Sequence, residues 1–218
     1  MARTARGRAT REAFREGARR VFTRDGYLNA RLSDIAAEAG RSPALLYQHY
    51  DGKEALLAEL AEDFSEQLQA KIAEPYRSGL TPIAALREAI RLFWLHYREH
   101  LAEVIGISQA AMIDPAFAAR WREIHRSATE LIASGIRAAQ AAGYCPGLHP
   151  DIAASALAAM IEQFCLTWQY QNDNPEFELT DETAVETLWQ LWGHAVYWID
   201  PLPATADAEP HSAPPPTG

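Results

Sequence analysis

The sequence predicts an all-α fold, and three observations carry that prediction. Apolar residues recur at helical spacing through most of the chain, as in Ile83, Leu86, Ile90, Phe93 and Tyr97, and no segment of useful length has strand periodicity. Ser42-Pro43, Thr81-Pro82 and Asp114-Pro115 each mark a helix start. In such a pair the side-chain oxygen satisfies an early amide, and the proline's missing N–H costs nothing. Charge is also segregated. Residues 1 to 53 hold eleven basic and six acidic side chains, a net of +5 in a chain of −9, leaving −14 for the remainder. A basic end on an acidic body attracts phosphate at one place and repels it elsewhere.

Residues 1 to 7 read as a disordered basic arm. A first helix is expected from Ala9 to Arg24, burying Ala13 or Phe14, Ala18, Val21 and Phe22, and ending at Asp25-Gly26-Tyr27. The second should run from about Leu32 to Ala39, with Ile35, Ala36 and Ala39 on one buried stripe. Gly40 then supplies a left-handed stop, Ser42 a cap, and Pro43 the first residue of a third helix reaching Tyr50, with Leu46 as its core anchor. Two short helices about a tight turn, the second carrying Tyr47, Gln48 and His49, form a helix-turn-helix that can enter the DNA major groove. Asp51 and Glu54 have capping-box spacing, so Asp51 should open a fourth helix lasting to about Ala73.

Further helices are predicted from Thr81-Pro82 to His100, Leu101 to Met112, Asp114-Pro115 to Gly143, Asp151 to Tyr170, and Asp181 to Trp198. From Pro201 the composition turns to Pro, Ala and Thr, a disordered tail. The expected organisation is therefore an arm (1–7), a three-helix head (8–53), a larger helical ligand-binding and dimerisation domain (54–200) and the tail (201–218). Ile152, Ala156, Ala159 and Met160 alternate with Leu157, Ile161, Phe164 and Trp168, and Leu188, Leu191, Trp192, Ala195, Val196 and Ile199 behave alike. Helices apolar all round need cover all round, which points to a homodimer through the last two long helices.

Asp34-Ile35-Ala36, Ala39-Gly40, Leu46-Tyr47-Gln48-His49-Tyr50 and Lys53-Glu54-Ala55-Leu56-Leu57 together resemble the tetracycline-repressor (TetR) family over roughly residues 8 to 60. The resemblance implies a dimeric transcriptional regulator, most simply a repressor, that binds an operator in double-stranded DNA and is released by a small-molecule effector. It assigns Tyr47, His49 and Lys53 to the phosphates and turns Pro43 and Ala44 toward the bases. Ser42 and Gln48 complete that face, with Gln48 suited to bidentate adenine reading. Three positions depart from the pattern, one of them mildly: Tyr50 replaces the more usual Phe. Arg31 stands near where a capping Thr or Ser is usual, so a charge could replace a hydroxyl contact to phosphate. Arg41 replaces a small apolar residue, and either snorkels outward or touches DNA.

For the effector, the aromatic density of the body suggests a pocket for a bulky apolar or aromatic molecule. Its candidate lining is Phe93, Trp94, Tyr97, Met112, Phe117, Trp121, Phe164 and Trp168, with Gln109, His125, Glu162 and Gln163 as polar partners. His96 and His100 share a helix face, but the sequence shows no third metal ligand, so neither a metal nor a cofactor is expected. Cys145 and Cys165 lack ligand spacing, and Cys165 reads as core. No phosphate-cradling glycine loop or nucleophile elbow is present, so no enzymatic activity is expected. No apolar run approaches a membrane span, and the Arg-rich N-terminus lacks a secretory apolar stretch, so a cytoplasmic protein is expected. Two alternatives remain at this point: a constitutive DNA binder without ligand, and a helical small-molecule-binding protein or enzyme with a vestigial head.

Overall fold

The computed structural model describes residues 2–170 and 178–197, with side chains from residue 7 onward. Among the described residues the structure is helical without strands: α1 (Ala2–Asp25), α2 (Leu32–Glu38), α3 (Pro43–Tyr47), α4 (Lys53–Arg77), α5 (Pro82–Glu99), α6 (Leu101–Ile113), α7 (Pro115–Ala141), α8 (Pro150–Gln169) and α9 (Asp181–Tyr197). The cap-plus-proline starts are as expected. Ser42 Oγ accepts from the Leu45 amide, Thr81 Oγ1 from that of Ala84, and Asp114 Oδ1 from that of Ala116. Gly40 has φ +63°, the left-handed value its place after α2 requires.

Several boundaries differ from expectation. Helix α1 begins at Ala2, so residues 2 to 7, expected as a disordered arm, continue the helix. Ala and Arg are strong helix formers, and one glycine at position 7 costs only about 1 kcal/mol. Helix α3 stops at Tyr47 because its end tightens: the Gln48 amide bonds to the Leu45 carbonyl and that of His49 to Leu46, each three residues back. Asp51 caps nothing. Gly52 holds the N-cap position of α4, and Glu54 turns instead to accept from the Tyr27 hydroxyl at 3.2 Å. Helix α4 passes Ala73 and continues through Pro75 to Arg77. In α5, Ile83 leaves the predicted stripe and is exposed. The predicted end of the last helix at Trp198, Ile199 beyond it, and the tail from 201 lie outside the described residues.

Two cores form. The first gathers Phe14, Val21, Phe22, Tyr27, Ile35, Leu46 and Tyr50 with Leu56, Leu57 and Leu60 of α4, Ile107 of α6 and Phe117 of α7. The second, in the body, includes Phe64 and Leu68 of α4, Leu86, Ile90, Trp94 and Tyr97 of α5, and residues of α6 to α9. The head's packing thus extends past residue 53, because α4 inserts its first turns into it.

Helix α1 crosses α2 closely at Gly17, where a Cβ would lie 2.9 Å from the Ile35 carbonyl oxygen and 3.2 Å from Ala39 Cβ. Alanine would gain about 1 kcal/mol of helix propensity. Forcing backbone apart costs about 1–3 kcal/mol and wins. Gly17→Ala is therefore expected to lower stability by about 1–2 kcal/mol, read as a lower urea midpoint at unchanged slope.

Candidate nucleic-acid interface and effector cavity

Leu46 is fully buried and fixes α3 against the head, which turns the opposite side outward. Arg41, Ser42, Pro43, Ala44, Tyr47 and Gln48 are all exposed there, Tyr47 at 60%. His49 is half-buried, its ring 5.8 Å from that of Phe14. Arg31 occupies the N-cap position of α2 without a side-chain cap, and its side chain is exposed.

The head's cations divide into two groups. Arg11 pairs with Glu59, Arg15 with Glu12, Glu59 and Asp63, Arg19 with Glu16 and Glu103, Arg20 with Glu38, and Arg24 with Asp25 and Glu38. Arg8, Arg31 and Arg41 have no carboxylate partner among the described residues and are exposed. Lys53 is neither. Its ammonium donates to the carbonyls of Tyr27 (2.8 Å), Leu28 (3.0 Å) and Ala30 (3.2 Å), and lies 4.6 Å from the Tyr27 ring centre. All three of its N–H donors are used on the α1–α2 turn, so Lys53 clamps the head rather than presenting a free charge.

An ion pair also ties the head to α6. Arg19 Nε donates to Glu103 Oε1 at 2.7 Å, and Glu103 is 3% exposed, with Oε2 lacking a partner. His100 Nδ1 lies 3.1 Å from the same Oε1. His96 is buried: Nε2 lies 3.1 Å from the Phe64 carbonyl and Nδ1 3.0 Å from the Lys71 ammonium, which also donates to Glu99 Oε2 at 3.3 Å. Burial, reinforced by His100, pushes the His96 imidazole down to about 4. The structure brings Glu99 to the two histidines as a third ligand-type group that the sequence reading missed. Lys71 already serves two of the three as their cation.

A cavity of about 540 Å³ opens in the body, a volume usual for small-molecule sites. It lies where α4, α5, α6, α7, α8 and α9 converge. Of the expected lining, Phe93, Tyr97, Trp121, His125, Glu162 and Gln163 face it. The other expected residues do not. Phe117 joins the first core. Trp94 is buried with Nε1 donating to Asp181 Oδ1 at 2.8 Å, and Phe164 packs its ring against Trp94 and Trp168, forming an aromatic cluster behind the wall. Met112, 84% exposed, sits one turn beyond Ser108, past the end of the cavity, and Gln109 points off the Val104-Ile107-Ser108 face.

Sequence reasoning missed Phe64, Ser65, Leu68, Ile72 and Tyr76 of α4, and Trp192 and Tyr197 of α9. It also missed what makes the room. Ala128, Gly135 and Ala138 on α7, with Ala158 and Ala159 on α8, are wall residues, and a Cβ at Gly135 would meet nothing within 4 Å. Small residues at those spacings were the available signal.

The cavity's polar centre is His125 Nε2 at 2.5 Å from Glu162 Oε1. Thr129 Oγ1 donates to the His125 carbonyl, leaving its lone pairs toward His125 Nδ1 at 3.5 Å. The Glu162 carboxylate raises the His125 imidazole above its ordinary range, against the opposing effect of burial.

A family model of the bacterial regulatory proteins, tetR family, matches residues 14–60, and one for the C-terminal domain of the transcriptional regulator EthR matches residues 86–198. The chain belongs to the TetR family. The regulator UidR of Escherichia coli K12 is 29% identical over 143 residues, which cover 66% of this chain and 71% of UidR. The repressor AcnR of Corynebacterium diphtheriae is 30% identical over 118 residues, 53% of this chain and 57% of AcnR. AibR, solved with isovaleryl coenzyme A and operator DNA, has the same fold at a TM-score of 0.65 and 20% identity, covering 84% of this chain and 97% of AibR. The TetR-family assignment makes the protein a transcriptional regulator. Among the described residues no helix is long and apolar enough to cross a membrane.

A proton-resolved NMR titration should place His125 above the ordinary imidazole value of about 6.5. In Glu162→Gln only burial remains, and the value should fall below it. Because the folded value is raised, the pair's stabilising effect is full below the unfolded value and fades as pH climbs through the folded one.

Proposed function

We propose that this protein is a homodimeric repressor whose exposed α3 face reads operator DNA and whose body cavity binds a small, largely apolar effector that releases it. The observation that carries the reading is the double membership of α4: Leu56, Leu57 and Leu60 lie in the head core, while Phe64 and Leu68 line the cavity. AcnR is named a repressor, and AibR shows that this fold accommodates a ligand and an operator together.

In this reading Pro43 and Ala44 approach thymine methyls, Gln48 pairs with adenine, and Ser42, Tyr47 and His49 donate to phosphates. Arg31 and Arg41 add unpaired positive charge beside them. Lys53 contributes by holding the turn that orients α2. Outward apolar residues on α8 and α9, including Ile152, Ala156, Ala159, Leu191 and Ala195, support pairing with a second copy. A dimer would place two α3 helices in successive major grooves about 34–36 Å apart.

An effector that fits only one arrangement of the cavity walls would move α4 and α6 relative to α1. A coupling of about 1–3 kcal/mol changes operator affinity about 5–150-fold. The constitutive-binder and enzyme alternatives gain no support from the geometry, since the cavity is open and the α3 face is intact.

The test is binding to duplexes selected from a random pool, measured across salt concentrations. Tyr47→Ala should weaken binding by about tenfold or more, and Arg41→Ala should flatten the salt dependence by about one ion per subunit. Wild-type-like binding by both variants would refute the assignment of α3. Gly135→Trp should fill the cavity, so that operator affinity no longer responds to apolar compounds that release the wild type. Release that persists in this variant would move the effector site elsewhere.

A further inference from the structure

Among the described residues, Glu162 and His125 are the sole formally chargeable acid and base in a cavity wall otherwise made of apolar, hydroxyl and amide side chains. Their arrangement is incomplete in a specific way. Glu162 gives Oε1 to His125, while Oε2 has no partner among the described residues. The Tyr97 hydroxyl also lines the cavity without a hydrogen-bond partner there, although the residue is buried. Burial first, then Cys165 and Glu162, push that phenol up, so it stays protonated. The rings of Phe93, Tyr97 and Trp121 stand on the same wall, with Trp121 6.0 Å from the His125 ring.

Three kinds of ligand head group would meet this centre differently. An anion would face a half-buried carboxylate on a mostly apolar wall, with the imidazole's positive charge already neutralised. A neutral head would leave the ion pair intact and gain only a hydrogen bond. A cation can take the place of the imidazole's proton: it enters beside Glu162 as one proton leaves His125, and the enclosure stays neutral. That exchange avoids adding net charge to a partly dehydrated site, a cost that the pair's remaining exposure moderates. The aromatic faces add cation–π attraction.

Resting on the reading of this cavity as the effector site, we infer that the effector is an amphipathic cation, an apolar body carrying an amine or quaternary ammonium that pairs with Glu162 and displaces His125 from it. The groups that could disturb the exchange are few. Glu162 of α8 faces His125 of α7, and Tyr97 of α5 lines the same cavity. From α4, α6 and α9 the wall presents the hydroxyls of Ser65, Tyr76, Ser108 and Tyr197 with the Trp192 indole, and α7 adds Ser134.

The test compares decyltrimethylammonium, decanol and decanoate, which share one apolar body, below their aggregation concentrations. Binding to the full chain is followed by tryptophan fluorescence and calorimetry. The ammonium should bind about tenfold or more tighter than either other probe. Its affinity should rise with pH, by up to about tenfold per unit, until His125 is deprotonated without the ligand, because one proton is expelled on binding. Decanol should show no such slope. Glu162→Gln should erase the cation's advantage and its pH dependence, and His125→Phe should keep the advantage but lose the pH dependence. If a variant does not fold, as judged by circular dichroism, the wild-type pH profile decides. Decanol or decanoate binding as tightly as the ammonium, or a flat ammonium profile, overturns the cation assignment and leaves the cavity a ligand site. Failure of all three probes to bind overturns the effector-cavity reading itself.

Discussion

Helix α4 is packed into two cores, and neither can rearrange without it. Its first turns bury Leu56, Leu57, Leu60 and Ala61 among the head helices, and the next turns bury Phe64 and Leu68 in the body. A continuous helix transmits displacement because its hydrogen-bond ladder resists bending over a few turns. At its N-terminus Lys53 binds three carbonyls of the α1–α2 turn, and Glu54 receives the Tyr27 hydroxyl. The head is therefore held to α4 at its base as well as through its core.

Helix α6 provides a second link. Val104, Ile107 and Ser108 line the cavity, while on its head-facing side Glu103 accepts from Arg19 and Gly106 lets Tyr27 come close. A Cβ at Gly106 would sit 3.2 Å from that of Tyr27. A buried carboxylate with one orphaned oxygen contributes little net stability, but it is intolerant of misalignment. The ion pairs of α1 run to α4, α6 and α2 or stay within α1, which leaves Arg8, Arg31 and Arg41 as the head's exposed arginines without a carboxylate partner among the described residues.

Much of this was legible in the residues. The caps at Ser42, Thr81 and Asp114, their prolines and the Gly40 stop located helix ends because each is a local device, whereas the Asp51 capping box failed because Glu54 is taken by Tyr27 across the head. Leu46 as anchor and Tyr47 as exposed neighbour followed from a one-residue step around a helix. The use of the arginines was not legible, because their partners Glu59, Asp63 and Glu103 lie far away in sequence. Lys53 has the same explanation. The aromatic residues of the body marked the right region but not the right faces. Trp94 and Phe164 pack behind the wall, whereas Ala128, Gly135 and Ala158 create the space in front of it. Cavities are made by small residues at converging positions, and convergence is a tertiary fact.

The claim on which the account rests is that α4 carries the state of the cavity to the head. Amide hydrogen exchange in the wild type and in a variant whose cavity is filled at Gly135 tests it without any ligand. The account predicts that protection changes along α4 run from Phe64 and Leu68 back through Leu57 to Lys53, and reach the amides of the α1–α2 turn. Changes that stop at Phe64, with the head amides exchanging as in the wild type, would contradict it.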